Sequence, residues 1–412
     1  MKNVVDRILQ ITKKYWITEP PASKPQVSRR QFIGTGRSLA YLLPVALSPL
    51  AFPAKDAGAQ SQSTRSASLG TISVAQMVDM SISHQDISKD FLIGSRAAWQ
   101  NINLNGGIRG RQITHWVLET DGTEQSARQA WAQVRDTPSC VALFGTAADP
   151  LANQLNTLLR SDKTGLAHVA PWQQNASVEL DANTFSIFSS RDEQIGHALK
   201  SISALGLNSL GVVFASATER LQNVGDVQRT AKLLGLALHE HAVTSNLQEA
   251  GQKVSAGTAA VILFIGGTPE LVQFTQGLEK QARQRYIVAL ADVNLQTLQQ
   301  MGAAKSIPII ATQAVPMVNA ALPIVRSYRQ ILAKLFDEPP TPHSLAGFMA
   351  ARYTYEVIQG VEGATTRANV LQAFSRRQDH DLGGYRIAYT AQKRSSVYVT
   401  QSMLGADGRL IG

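Results

Sequence analysis

From Thr71 onward, short apolar runs alternate with segments of helical period, and the alternation is run through twice. That order constrains the fold more than any other feature. Repeated strand–helix–strand units close in one hand and build a parallel sheet with helices on both faces. In the first series, strands are predicted over 71–78, 113–118, 140–144 and 167–170. Helices fall between them at 124–135 and 150–160. Phe91, Ser95, Ala98, Trp99 and Ile102 mark the apolar face of an earlier helix. Asn105-Gly106-Gly107 stops that helix, because Asn and Gly tolerate the left-handed conformation of a helix end. The second series has strands at 185–188, 210–214, 237–243, 259–265, 286–290 and 307–311, with helices at 192–205 and 222–234. A further helix begins at Pro269, with Thr268 as its N-cap and Glu270 in its first turn. Amphipathic helices over 320–336 and 344–359 follow, and the alternation within 385–410 predicts antiparallel strands. The fold class is therefore α/β, with two doubly wound lobes and a cleft between them.

Residues 1–59 belong to an export signal rather than to the fold. Ser28-Arg29-Arg30-Gln31-Phe32-Ile33 precedes an apolar run, 39–52, and a small-residue cleavage site, Ala57-Gly58-Ala59. The paired arginines resemble the twin-arginine (Tat) signal of bacteria, with Gly34 where that pattern carries Lys. The apolar run of 14 residues contains Pro44 and Pro49 and falls short of the roughly 20 that a spanning helix needs. No membrane span is expected after cleavage, and the expected location is the periplasm. Residues 60–69 read as a flexible tail rich in Ser and Gln. Gly34-Thr35-Gly36 lacks a preceding strand and is no dinucleotide loop.

The chain carries 39 basic and 30 acidic residues, but nine of the basic and three of the acidic lie in residues 1–59. The remainder holds 30 and 27, net +3, which removes the main support for nucleic-acid binding. About 350 residues beyond the signal match two domains. Cys140 is the only cysteine, so no intrachain disulfide can form, and its neighbours Val141-Ala142-Leu143-Phe144 predict a buried thiol.

The segment Ile102-Asn103-Leu104-Asn105-Gly106-Gly107-Ile108-Arg109-Gly110-Arg111-Gln112-Ile113, with Asp121 eight residues on, resembles the branched-chain amino-acid binding proteins. These are type I periplasmic solute-binding proteins of ABC transporters. Phe185-Ser186-Ile187-Phe188 is similar to the first interlobe crossing of that family, and Thr312-Gln313-Ala314-Val315-Pro316 to the return crossing. Gly383-Gly384-Tyr385 and the terminal strands also fit. The resemblance covers roughly 70–412. It implies a lobe of 70–184 plus 316–380, a lobe of 185–312 plus 384–412, and ligand capture by lobe closure without chemistry. It also implies a small-molecule ligand, an ABC permease in the inner membrane as partner, and no cofactor. The same fold also serves ligand-sensing regulators that partner a receptor or kinase.

In open α/β sheets ligands sit beyond the carboxyl ends of the strands, which selects the candidate residues. The loop after the first strand offers His84, Gln85 and Asp86. The next offers Thr146, Ala148 and Asp149, and the third Trp172, Gln173 and Gln174. By resemblance these last two loops hold the ligand α-carboxylate through backbone and hydroxyl groups. Here the hydroxyls are reduced to Thr146, while Trp172 and Gln174 replace small and hydroxyl residues. Trp172 either stacks on a flat ligand or packs at the lobe surface. The second lobe offers Thr218 and Glu219, Asp292 and Gln313. Asp292 either meets a ligand ammonium or caps a helix over 294–301. His239 and His241 share a strand face but lack a third ligand, so no metal is expected. Asp379-His380-Asp381 has no nucleophile at a recognisable spacing, and hydrolase motifs are absent, so no catalytic residue is assigned.

Overall fold

The computed structural model describes residues 71–175, 182–255, 257–279, 281, 283–389, 398–405 and 410–411. The expected export signal, 1–59, and the expected tail, 60–69, lie outside the described residues.

Two sheets carry the alternation. The first comprises β1 (Ile72–Asp79), β2 (Ile113–Thr120), β3 (Cys140–Phe144), β4 (Ala167–Val169) and β5 (Thr184–Phe185), in spatial order β2-β1-β3-β4-β5, all parallel. Its crossovers are α1 (Gln85–Leu104), α2 (Glu124–Arg135) and α3 (Asp149–Asp162). The chain leaves this lobe through α4 (Arg191–Ala204). It then builds β6 (Ser209–Phe214), α5 (Ala217–Leu233), β7 (Ala237–Glu240), α6 (Leu247–Gln252), β8 (Val261–Ile265), α7 (Thr268–Leu278), β9 (Tyr286–Ala289), α8 (Leu295–Gln300) and β10 (Ile309–Gln313). The order here is β7-β6-β8-β9-β10, again parallel, so both sheets repeat one topology. In each, the strand order reverses between the first and third strands, and a crevice opens at that reversal.

The chain then returns. Helices α9 (Pro323–Leu335), α10 (Pro342–Gln359) and α11 (Arg367–Ser375) pack on the first lobe, α10 lying along α1. That crossing is close because glycines face it. A Cβ on Gly347 would stand 1.9 Å from the Phe91 carbonyl oxygen, and one on Gly94 1.7 Å from that of Ser344. Arg367 pins α11 by donating to the carbonyls of Cys140, Val134, Arg135 and Thr137. A short hairpin, β11 (His380–Asp381) and β12 (Arg386–Ile387), precedes β13 (Thr400–Leu404) and β14 (Leu410–Ile411), which extend the second sheet as antiparallel strands beside β10.

The apolar pattern explains the cores. β3 and β8 are buried along their whole length, as strands covered on both faces must be. Trp99, Phe91 and Phe144 fill the first lobe, and Phe264 stacks on Phe274 in the second. Cys140 is buried, and burial pushes its thiol up to about 11. Gly106 and Gly107 end the α1 segment at φ +95° and +66°, and Arg109 beyond them donates to the carbonyls of Gln359 and Gly363 at the end of α10.

Several boundaries differ from the sequence reading by one to five residues, and three of the differences have a clear physical reason. Phe185 completes the first sheet instead of opening the second lobe, because β5 pairs with β4. Helix α5 begins five residues early, at Ala217, because the Ser216 side chain accepts from the Glu219 N–H and caps it there. Thr268 is the first residue of α7, with Gly267 as cap, and its hydroxyl is used elsewhere.

Candidate ligand site between the lobes

The carboxyl ends of both sets of strands face one another. On the first lobe, β1 ends in Asp79, whose Oδ1 accepts from the Ser81 N–H at 2.8 Å. Its Oδ2 lies 3.4 Å from His84 Nδ1. Burial raises the Asp79 carboxyl, but hydrogen bonds to His84 and Ser81 outweigh it and hold it below the ordinary value. For His84 burial lowers the pKa, and the Asp79 hydrogen bond, with the charges of Asp79, Asp292 and Glu270, leaves it raised.

The loops after β3 and β4 are zipped together by the Trp172 N–H donating to the Thr146 carbonyl at 2.8 Å. Each carries a non-glycine residue in the left-handed region, Ala148 at φ 85° and Ala170 at φ 47°, the kind of local strain that gathers at functional sites. Asp149 accepts through Oδ1 from the backbone N–H groups of Gln174, at 2.6 Å, and Asn175, at 2.9 Å. The Thr146 hydroxyl lies 2.9 Å from His168 Nε2. Gln173 donates to Asn153, and Gln174 accepts from Gln194. Trp172 is buried against Phe91, Phe188 and His343, and its indole N–H has no partner.

On the second lobe the centre is Arg191, the first residue of α4, which the sequence reading did not single out. Its Nη1 binds Glu219 at 2.9 Å and its Nη2 binds Asp292 at 2.7 Å. Burial works against this cation, but the carboxylates of Asp292, Glu219 and Asp149 raise its pKa. Burial is also the main reason that the Glu219 carboxyl is raised, with Asp292 and Asp149 pushing the same way against Arg191. Asp292 is therefore an ion-pair partner, and the capping alternative is overturned. Helix α8 is capped by Asn294, whose side chain accepts from the N–H groups of Gln296 and Thr297. Thr218 is exposed on the first turn of α5 and joins no part of this network. Gln313, at the end of β10, is buried with its side-chain oxygen unpartnered. Gln85 stays on the rim, accepting from Lys89.

The lobes meet along a polar seam. The Thr268 hydroxyl donates to Asp86 Oδ2 at 2.7 Å and accepts from the Asn294 N–H at 3.0 Å. Asn294 Nδ2 donates to Asp90 Oδ2 at 2.7 Å, and His343 Nε2 lies 2.8 Å from the Ala291 carbonyl. Gln194 ties the floor together, donating to Gln174 and accepting from the Ala291 N–H and the Thr312 hydroxyl. A cavity of about 330 Å³ flanks the seam, lined by Ile82, Gln85, Asp86, Lys89, Asp90, Pro269, Thr297 and Met301. Glu270, in the first turn of α7, has a buried carboxylate oxygen with no partner, as does Asp86. The Gly-Gly-Thr-Pro-Glu run after a buried strand marked Glu270 as a strand-end residue, but only the tertiary structure shows its unmet oxygen.

The arrangement brings five carboxyl groups, Asp79, Asp149, Glu219, Glu270 and Asp292, around the Arg191 guanidinium and the His84 imidazole. Among the described residues no group of three or more His, Cys, Asp or Glu is placed to hold a metal ion. Nor is any helix among them long and apolar enough to cross a membrane.

Two lobes of repeated topology, joined by several crossings and meeting across polar strand-end loops, define a two-lobed α/β ligand-binding protein of the type I class. The sequence agrees: the model of the periplasmic binding protein family matches residues 71–407, and the chain belongs to that family. Its fold is similar to that of an extracellular ligand-binding receptor from Verminephrobacter eiseniae, with TM-score 0.75 and 18% identity over 83% of this chain and 100% of that one. A substrate-binding periplasmic protein from Ralstonia solanacearum matches with TM-score 0.75 and 22% identity, over 82% and 99% of the two chains. A branched-chain amino-acid transporter substrate-binding protein from Streptococcus pneumoniae, in complex with isoleucine, matches with TM-score 0.70 and 14% identity, over 83% and 98%. No curated protein matches the sequence.

Proposed function

We propose that the protein is the extracytoplasmic solute-binding component of an ABC importer. It captures a small polar ligand, an amino acid or related carboxylate or amide, between its lobes. It performs no chemistry on that ligand and presents the closed form to an inner-membrane permease. The observation that carries this reading is the seam. Thr268–Asp86, Asn294–Asp90 and His343–Ala291 bridge the lobes beside a buried charged network with unmet polar atoms. Each such hydrogen bond contributes only about 1 kcal/mol net, so the seam alone leaves the open and closed forms close in energy. A ligand that completes the network then decides between them, within the limit of its differential affinity. Export to the periplasm through the twin-arginine pathway is part of the reading, supported by Arg29-Arg30 and the apolar run that follows.

A thermal-shift screen against amino acids, aromatic acids, short amides and urea-like compounds tests capture. A ligand of the folded state raises the melting temperature with the logarithm of its excess over Kd. The screen is paired with small-angle scattering, in which the same ligand should make the particle more compact. Stabilisation without compaction, or no stabilisation by any compound, would count against solute capture. Changing Arg29 and Arg30 together to Lys should leave precursor in the cytoplasm, and normal export of that variant would sink the pathway assignment.

A further inference from the structure

We infer that Asp149 fills the anion-binding corner of the cleft from within. The cleft therefore takes a ligand with a cationic head and an uncharged acceptor, such as an amino-acid amide, in preference to a free amino acid. This deepens the reading of the interlobe space as the ligand site and rests on it. Two backbone N–H groups converge beyond β4, those of Gln174 and Asn175. Left open, such a pair is a carboxylate seat. Here Asp149 Oδ1 takes both, and its Oδ2 accepts from Asn153 at 3.2 Å. Asp149 is 6% exposed, and the left-handed Ala148 before it turns the side chain into the seat. The remaining hydroxyl of these loops, on Thr146, is engaged with His168.

A ligand carboxylate arriving beside Asp149 would also meet Glu219 and Asp292, and both terminal nitrogens of Arg191 are already bound to these two acids. What stays unmet is of two kinds. Arg191, 4% exposed, has its Nε without a partner, and fully buried Gln174 has its side-chain nitrogen without one. These donors call for an acceptor oxygen that brings no further negative charge. Glu270 keeps a buried carboxylate oxygen without a donor, which calls for an N–H group, best a charged one. An ammonium or guanidinium joined to an amide carbonyl supplies both.

Calorimetric titration of the purified protein with matched pairs decides the matter: leucine and leucinamide, phenylalanine and phenylalaninamide, arginine and argininamide. Like charges juxtaposed across an interface are strongly disfavoured, so at least one amide should bind on the order of tenfold more tightly than its acid. Asp149→Ala should reverse the preference by freeing the two N–H groups. Asp149→Asn keeps a carbonyl oxygen in the seat and should not create a preference for the acid. An acid that binds the unaltered protein as tightly as its amide overturns the proposal. So does a shift of the Gln174 and Asn175 backbone amide resonances when sodium acetate is added to the unaltered protein. Those resonances should move with acetate only in Asp149→Ala. If none of the six compounds binds, the ligand class is wrong. Lobe closure on any other solute would still uphold solute capture, so the two failures are separable.

Discussion

Replacing Arg191 by Gln tests the electrostatic reading of the cleft most directly. The Arg191 side chain is 5% exposed and neutralises Glu219 at 2.9 Å and Asp292 at 2.7 Å, with Asp149 close by. Without the guanidinium, these carboxylates face one another. Removing one partner of a buried pair costs about 3–5 kcal/mol. Glu219 and Asp292 keep 26% and 14% of their side-chain surface in water, so the low end applies. A loss of about 3 kcal/mol lowers Tm by roughly 6 °C, taking about 2 °C per kcal/mol for a large chain. The pH dependence has a definite sign. Glu219 is already raised above its ordinary 4.5, and losing Arg191 raises it further. A carboxyl raised in the fold holds its proton more tightly there. Stability is therefore lost as pH rises from the unfolded value through the folded one. The cost of the substitution should be full at about pH 7 and shrink toward about pH 4.5, read by urea denaturation at each pH. Adding Glu219→Gln and Asp292→Asn to Arg191→Gln should recover most of the loss at neutral pH. A cost below about 1 kcal/mol at neutral pH, or one equal at both pH values, would refute the reasoning.

Two further changes probe the frame and the rim. Gly347→Ala forces a methyl to within 1.9 Å of the Phe91 carbonyl oxygen, so α1 and α10 must move apart. It should cost on the order of 1–3 kcal/mol in denaturant unfolding, and a neutral result would mean that the crossing is looser than described. His84 is raised above its ordinary 6.5, so its contribution to stability is present below that value and lost as pH climbs through the folded one. His84→Gln should therefore destabilise more at about pH 6 than at about pH 8.5 in paired thermal melts, and an equal cost at both would remove the Asp79 pairing.

The repeated strand–helix order was readable because each element has its own period. Residues 124–135 and 140–144, expected as helix and strand, are α2 and β3 to the residue. Short elements are harder to read: α6, of 6 residues, is too short to show a period, and β5, of 2, is expected as a strand over 185–188 but in the second series rather than the first sheet. The start of α5 was legible in principle, since Ser216 with Glu219 three residues later is the spacing of a capped helix start. Members of the interlobe polar network are legible where topology alone selects them, at strand ends: His84, Asp86, Asp149, Glu219 and Asp292 all lie in that network or its seam. Their partners were not found, because Asp292 meets Arg191 from 101 residues away and Thr268 meets Asp86 from 182. Local sequence gave Thr268 a capping role, and a contact between lobes took its hydroxyl instead.

The return of the chain sets the order in which the protein can be finished. The α1 face that receives α10 is translated long before its cover: α10 begins only at Pro342, and the second sheet gains β13 only at Thr400. At roughly 5–20 residues per second, the about 240 residues between α1 and α10 take on the order of tens of seconds to synthesise. During that interval the groove along Gly94 and Phe91 has no native partner, and neither lobe is complete. Apolar surface left uncovered in this way makes a growing chain prone to aggregate until its last helices and strands emerge.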